Sequence, residues 1–334
     1  MKKIFFPIFF AILLVAGLGG WQATAAQTND VVKFTIQLRD NVTVEMGAIV
    51  LKNSKKAKKG ATILVLNGTG QTANTFRPLA ASLFSKKTSS KVAQVILLDY
   101  PGHGNSGLPM PSTTLKFGDL TVADYVSALL RSLEKLAAMQ LKPNVLLGHS
   151  LGAEIIQLAQ QRLTSQGTNL KQSFGISGAI FLVPDIAGPL PWAFTANAGP
   201  VVAPLIRNDP NLGMILDIPA SVFVDLFYRD RQGRLIANAT TPDEAVAKGF
   251  ISFDSATLGA ELLGLPPFTQ RPQLSEGIFD TSSGTAAGLL AFAQDGLYVF
   301  PDEHRNLYTF LTRDQNLRLF FTINDPDSVH NIHV

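Results

Sequence analysis

Residues 144–153 are Asn-Val-Leu-Leu-Gly-His-Ser-Leu-Gly-Ala, and they change from a strand pattern to a helix pattern at one serine. The apolar run before Gly148 is typical of a strand that is buried on both faces, and apolar residues recur at helical spacing after Gly152. A change from strand to helix within two residues strains the backbone of the residue at the corner. The residues on both sides of it must therefore be small. The pattern Gly-x-Ser-x-Gly in this context predicts a nucleophile elbow, which presents the hydroxyl of Ser150 beside the positive end of a helix.

The composition indicates a globular chain with one large core. Of 334 residues, 46% are hydrophobic and 16% are charged, which suffices for a single domain with an inserted subdomain. The net charge of +3 includes Lys2 and Lys3, so it falls to +1 if the first segment is removed. A balance this close to neutral argues against nucleic acid as a partner.

The first segment has the features of a secretory signal peptide. Two lysines are followed by an apolar stretch over residues 4–17 and by the small-residue site Ala23-Thr24-Ala25. We expect cleavage after Ala25 or Ala26 and a secreted or periplasmic mature protein, with an uncleaved membrane anchor as the alternative. No later run is long and apolar enough to span a bilayer, so no stable membrane span is expected after cleavage. The sequence has no cysteine, so an exported protein of this kind would rely on its core rather than on disulfides.

Strand and helix patterns alternate over much of the chain. Residues 32–38 and 42–45 flank a turn-forming group and predict an amino-terminal hairpin. Thr121 and Asp124 have the arrangement of a helix start, and an amphipathic pattern follows them. Further strands are predicted at 61–66, 92–98, 145–147, 176–183, 287–294 and 317–323. This order predicts the α/β class, with a mostly parallel sheet and right-handed crossovers.

A second motif supports the same fold. Residues 99–107 are Asp-Tyr-Pro-Gly-His-Gly-Asn-Ser-Gly and follow a predicted strand. Together with the elbow around Ser150, this loop resembles the corresponding motifs of the α/β-hydrolase superfamily. The resemblance implies an α/β-hydrolase fold, in which helices flank a mostly parallel central sheet. We interpret His103 as a structural hydrogen-bonding residue of a glycine-rich chain reversal rather than as a catalytic residue.

The resemblance also implies an inserted cap. The alternation of strands and helices stops at residue 186, and the first 43 residues of this stretch contain six prolines and only four charged residues. We therefore predict a signal peptide at 1–26, a core formed by 27–185 and 286–334, and a cap or lid at 186–285. Apolar residues of the cap, such as Trp192 and Phe223, would pack against the core or line the site. In either case, water-poor walls over the serine favour a substrate with an apolar portion.

In the superfamily, the loop after the strand at 61–66 supplies a backbone N–H to the oxyanion hole. This loop is Asn67-Gly68-Thr69-Gly70 here, where many relatives have His-Gly at the first two positions. The resemblance implies Thr69 as the donor, with Gly70 second, and the N–H of Leu151 as the other donor.

Five histidines are available as the general base. His103 lies in the glycine loop, His149 directly precedes the nucleophile and must point elsewhere, and His304 lies in the first turns of a predicted helix. His330 follows the last predicted strand after a short loop, and we favour it over His333, which is one residue from the carboxyl terminus.

The acid completes a triad in the chain order serine, acid, histidine. Asp295 follows the strand at 287–294 and is the leading candidate, while Asp185 occupies the superfamily's alternative position. The predicted function is an exported serine hydrolase that cleaves carboxylic esters with an apolar acyl group. Amide or peptide hydrolysis, as in proline-iminopeptidase-like relatives, and non-catalytic binding on the same fold are the alternatives. No metal-ligand cluster or dinucleotide fingerprint occurs, so no cofactor is implied.

Overall fold

A computed structural model describes twelve parts of the chain. They are residues 28–53, 60–68, 71–84, 91–110, 116, 120–182, 206–210, 213–216, 235, 239–247, 289–293 and 319–323. The predicted signal peptide and most of the predicted cap lie outside these described residues. No helix within them is both long and apolar enough to cross a bilayer.

The fold is organised around an eight-stranded sheet. The strands of the chain are β1 (Thr28–Arg39), β2 (Val42–Lys52), β3 (Ala61–Leu66), β4 (Val92–Leu98), β5 (Val145–His149), β6 (Gly178–Leu182), β7 (Ile206–Asp209), β8 (Gly213–Leu216), β9 (Leu289–Ala293) and β10 (Leu319–Ile323). Their order in the large sheet is β1-β2-β4-β3-β5-β6-β9-β10. From β4 to β10 all neighbours pair in parallel, whereas β2 is antiparallel to β1 and β4. The predicted hairpin and mostly parallel sheet are therefore confirmed.

From β3 to β6, helices follow the strands in the predicted alternation, whereas the helix predicted from about Pro301 lies outside the described residues. The described helical elements are a 3₁₀ turn (Ala73–Phe76) and helices α1 (Arg77–Leu83), α2 (Val122–Ala138), α3 (Leu151–Ser165), α4 (Leu170–Phe174) and α5 (Pro242–Ala247). The predicted start of α2 is confirmed, because the Asp124 carboxylate accepts from the backbone N–H of Thr121 at 2.7 Å and from its hydroxyl at 2.9 Å. Arg39 of β1 donates to the same carboxylate and ties the hairpin to α2.

The central strands are buried on both faces, which explains their unbroken apolar runs. Along β3, Leu64 and Leu66 belong to a core cluster that includes the apolar faces of α2 and α3. Ile63 and Val65 point to the opposite side, into a second cluster with Phe76 and the apolar residues of α1. Helices thus cover both faces of the sheet. The loops converge at the end of the sheet where the parallel strands have their carboxyl ends.

The predicted cap interval contains regular structure that the sequence patterns did not indicate. Strands β7 and β8 pair as a short antiparallel hairpin, and α5 lies further along the same interval. Lys116, from the core segment before α2, donates to the carbonyl of Pro210 in the turn of this hairpin at 2.5 Å.

Candidate active site

The chain turns from β5 into α3 at Ser150, as the sequence predicts. Ser150 has φ 49° and ψ −119°, a backbone conformation that non-glycine residues rarely adopt. Its N–H donates to the carbonyl of Leu182 in β6 at 3.0 Å, which anchors the corner to the neighbouring strand. Leu151 is the first residue of α3, so its N–H has no acceptor within the helix and lies at the positive end of the helix dipole.

The two glycines of the pattern are required by close backbone contacts. A Cβ at Gly148 would lie 2.5 Å from the backbone N of Ala153, across the corner. A Cβ at Gly152 would lie 2.5 Å from the carbonyl oxygen of Leu66 and 2.6 Å from that of Asn67. The second contact shows that α3 begins directly against the end of β3, so the loop after β3 reaches the elbow.

That loop approaches the elbow at Gly68. A Cβ at this position would lie 3.1 Å from the Cβ of Ser150 and 2.7 Å from Nδ1 of His149. The N–H of Gln71 donates to the carbonyl of Gly68 at 3.2 Å, which closes a turn between these two residues. The N–H of Gly68 already donates to Oε1 of Gln71 at 2.8 Å, so it is engaged within the loop.

Gln71 also contacts the residue that precedes the nucleophile. Its Oε1 lies 2.9 Å from Nδ1 of His149, and both side chains are buried. The ring of Phe76 lies 5.9 Å from the imidazole, centroid to centroid. The position of His149 directly before the nucleophile predicts that its side chain points away from the active serine, but the sequence does not reveal this partner, which is 78 residues away in the chain.

Asn67 is the first residue of the loop after β3, and it is completely buried. Its side-chain Nδ2 donates to the backbone carbonyl of Leu98 at 3.2 Å. Its backbone carbonyl accepts from the Tyr100 hydroxyl at 3.1 Å. Among the described residues, its Oδ1 has no hydrogen-bond partner. Asn67 therefore joins the end of β3 to the end of β4.

The loop after β4 is held by a buried carboxylate. Asp99 accepts from the N–H of Ala73 at 2.6 Å and from the backbone and side-chain N–H groups of Asn105, each at 2.9 Å. Burial raises the pKa of Asp99, and these hydrogen bonds partly oppose that rise. Gly104 adopts φ 47° beside this carboxylate, where a Cβ would lie 2.6 Å from it. The buried Nδ1 of His103 lies 3.0 Å from the carbonyl of Pro101, a contact that fits a structural role.

The structure describes two of the predicted catalytic and oxyanion-hole residues. Ser150 and Leu151 lie together at the elbow, whereas Thr69, Gly70, Asp185, Asp295, His330 and His333 lie outside the described residues. The strands that precede them are described. His149 of β5 pairs with Leu182 of β6, Leu182 pairs with Ala291 of β9, and β10 pairs with β9 through Ile323 and Ala293. All four strands therefore end at the same edge of the sheet.

Within the part of the chain that the structure describes, no group of three or more histidine, aspartate or glutamate side chains could hold a metal ion. The polar groups around the elbow are a hydroxyl, amides, an imidazole and backbone N–H groups. Of these groups, the N–H of Leu151 at the helix terminus can stabilise negative charge that develops beside the Ser150 hydroxyl.

Comparison with known proteins agrees with this geometry. A family model described as the alpha/beta hydrolase family matches residues 63–303. The chain belongs to this family. The matched segment begins within β3 and includes the elbow and the predicted cap, so the α/β-hydrolase superfamily that the sequence indicated is confirmed.

Solved structures with the same fold are distant in sequence. A hydrolase from Pseudomonas aeruginosa has a TM-score of 0.57 and 14% identity, over 90% of this chain and 92% of its own. An alpha/beta hydrolase from Novosphingobium aromaticivorans has a TM-score of 0.56 and 14% identity, over 92% and 96%. A thioesterase domain from the curacin biosynthetic pathway has a TM-score of 0.51 and 14% identity, over 92% and 95%. None of the curated proteins matches the sequence.

Proposed function

We propose that this member of the alpha/beta hydrolase family is a serine hydrolase that cleaves carboxylic esters. The observation that carries the proposal is the strained backbone of Ser150 at the start of α3, with Gly68 packed against the serine side chain. A strained elbow presents its hydroxyl to a substrate, and strain of this kind persists where function requires it. The adjacent helix terminus stabilises negative charge that develops beside it.

In the proposed mechanism, His330 takes the proton from Ser150 as the serine oxygen attacks the carbonyl carbon, and Asp295 orients the imidazole. The N–H groups of Thr69 and Leu151 stabilise the oxyanion. The alcohol then leaves with a proton from His330, and water hydrolyses the acyl-enzyme with the same histidine as its base.

The described residues support two parts of this mechanism. The N–H of Gly68 is already engaged by Gln71, which supports the proposal that the loop donates to the oxyanion from Thr69, with Gly70 second. The parallel pairing of β9 with β6 supports an acid after β9, because both strands end at the edge where Ser150 lies. Asp185 follows β6 at that edge and remains the alternative acid, as His333 remains the alternative base.

The proposal extends to the substrate and the site of action. An apolar acyl group is proposed because residues 186–285 include large apolar side chains, such as Trp192 and Phe223, and would form a cap over the serine. The core would consist of 27–185 and 286–334. Residues 1–26 are proposed to be a signal peptide cleaved near Ala25 or Ala26, which leads to a secreted or periplasmic enzyme.

The test is turnover of aryl esters of increasing acyl length, and of matched aryl amides, by the wild type and Ser150→Ala. We expect ester turnover that increases with acyl length and is lost in the alanine variant. Faster cleavage of the amides would favour the peptidase alternative. Absence of turnover by the wild type would favour a binding protein, and equal activity of Ser150→Ala would refute the serine mechanism.

Paired variants identify the triad partners. Asp295→Asn should lower kcat by about 10⁴ if this residue orients the histidine, whereas Asp185→Asn should leave most of the activity. His330→Gln should abolish turnover, and His333→Gln should not. A reversed result in either pair would move the role to the other residue.

A further inference from the structure

We propose that Gln71 and His149 form a positioning bridge that fixes the oxyanion loop relative to the nucleophile. This inference rests on the proposed function, because it assigns a catalytic consequence to the geometry around Ser150. The bridge consists of the Gly68 N–H, Oε1 of Gln71 and the imidazole of His149. It connects the residue before the proposed donor Thr69 to the residue before the nucleophile.

The bridge is short and enclosed. Oε1 of Gln71 is 2.8 Å from the N of Gly68 and 2.9 Å from Nδ1 of His149. Gln71 and His149 are each 1% exposed, so water competes little for these hydrogen bonds. Gln71 also closes the turn with its own N–H, which donates to the carbonyl of Gly68. One residue thus fixes both polar backbone groups of Gly68.

The hydrogen-bond chemistry determines the protonation of His149. A backbone N–H only donates, so the side-chain atom of Gln71 that faces Gly68 must be the amide oxygen rather than the amide nitrogen. That same oxygen faces Nδ1 of His149. Because an amide oxygen only accepts, Nδ1 must carry the proton, and neutral His149 is the Nδ1–H tautomer.

Packing makes the position of the loop sensitive to this bridge. A Cβ at Gly68 would lie 2.7 Å from Nδ1 of His149, 2.9 Å from Oε1 of Gln71 and 3.1 Å from the Cβ of Ser150. The loop backbone therefore lies directly against the bridge and the nucleophile, with no space for a side chain. If the shared acceptor is removed, two buried donors lose their partner and the turn shifts to find another.

The test compares Gln71→Met, which removes the acceptor at similar length, with Gln71→Glu, which keeps an acceptor oxygen. Gln160→Met is the matched control, because Gln160 is also a buried glutamine whose Oε1 accepts from a backbone N–H, that of Leu170 at 3.0 Å. Gln160 is ten residues after Ser150 along α3, which is about 15 Å along the helix axis.

We expect Gln71→Met to lower kcat for ester hydrolysis by about 10- to 100-fold, because a misplacement of about 1 Å costs up to about 10²-fold in rate. KM should change little, because the lost interaction acts mainly in the transition state. Gln71→Glu should recover most of kcat, and Gln160→Met should keep the wild-type kcat even where thermal unfolding shows that it is destabilised.

A second measurement does not depend on activity. Nitrogen NMR of histidine-labelled protein, with the signal assigned by its loss in His149→Phe, should show His149 protonated at Nδ1 and unprotonated at Nε2 in the neutral state. Protonation at Nε2 instead would overturn the bridge. Equal kcat values for Gln71→Met and Gln160→Met would also overturn the bridge. If Ser150→Ala is inactive in the same assay, that result leaves the proposed function intact. Absence of wild-type turnover would refute the proposed function and the catalytic role of the bridge together.

Discussion

Replacement of Ser150 by glycine should stabilise the fold while it abolishes hydrolysis. The serine has φ 49° and ψ −119°, where its Cβ is crowded by the backbone. Glycine has no Cβ and adopts this conformation without strain. The same substitution removes the proposed nucleophile, so stability and activity should change in opposite directions.

The size of the effect follows from two opposing terms. A non-glycine residue in so sparsely populated a region costs about 1–3 kcal/mol, which glycine recovers. Glycine also gives the unfolded chain more freedom, which costs about 0.5–1 kcal/mol. The free energy of unfolding should therefore rise by about 1 kcal/mol at the middle of these ranges and by at most about 2.5 kcal/mol. The melting temperature should rise by roughly 2–4 °C per kcal/mol for a domain of this size.

Urea and thermal unfolding of Ser150→Gly and Ser150→Ala measure this difference. Alanine keeps the Cβ, so it should remove activity without the gain in stability. Gln140→Gly is a control for the glycine term, because Gln140 is exposed at φ 62° after the end of α2 and should gain stability without loss of activity. A Ser150→Gly protein no more stable than Ser150→Ala would refute the argument that the elbow stores strain.

Three further substitutions test the packing and electrostatics of the core. Gly152→Ala should lower the free energy of unfolding by about 1–3 kcal/mol, because its Cβ would lie 2.5 Å from the carbonyl oxygen of Leu66. Gly107→Ala is the control, because a Cβ at Gly107 would lie no closer than 3.7 Å to its nearest neighbour, the carbonyl oxygen of Glu45. Equal melting temperatures for Gly152→Ala and Gly107→Ala would contradict this reasoning. Asp124→Asn should lower the free energy of unfolding in urea by about 1–2 kcal/mol, because it weakens the hydrogen bonds at the start of α2. The kcat should not change, and a fall in kcat would show that this distant carboxylate affects the site. Burial raises the pKa of Asp99 above 3.8, so the stability this group contributes is fully present below that pH and is lost as the pH rises through the raised pKa. The urea midpoint of the wild type minus that of Asp99→Asn should therefore decrease over this interval, and an increase would contradict the direction of the pKa shift.

Local periodicity predicted the elements around the elbow well. The sequence predicted β3 and β4 at their observed bounds, and it predicted the start of α2 from Thr121 and Asp124. The later strands β6, β9 and β10 begin two residues after their predicted starts. Hydrophobic runs define such strands because each is buried on both faces, but a run does not show where pairing begins.

Contacts between distant loops could not be predicted in this way. Gln71 has no distinguishing pattern in the sequence, and its role becomes visible only when β3 and β5 pair and bring it to His149. The carboxylate of Asp99 was part of a recognised motif, yet its bond to Ala73 depends on how the loops after β3 and β4 pack. The β7–β8 hairpin was missed because its strands are only four residues each, too short for periodicity to be informative.

The central claim is that Ser150 is an activated nucleophile, and covalent labelling tests it most directly. The mature protein would be treated with an alkyl fluorophosphonate, which phosphonylates activated serines, and its peptides mapped by mass spectrometry. We predict a single phosphonyl group on the peptide that contains Ser150, with ester hydrolysis lost in parallel and no labelling of Ser150→Ala. A label on another residue, or full ester hydrolysis by an unlabelled protein and by Ser150→Ala, would contradict the claim.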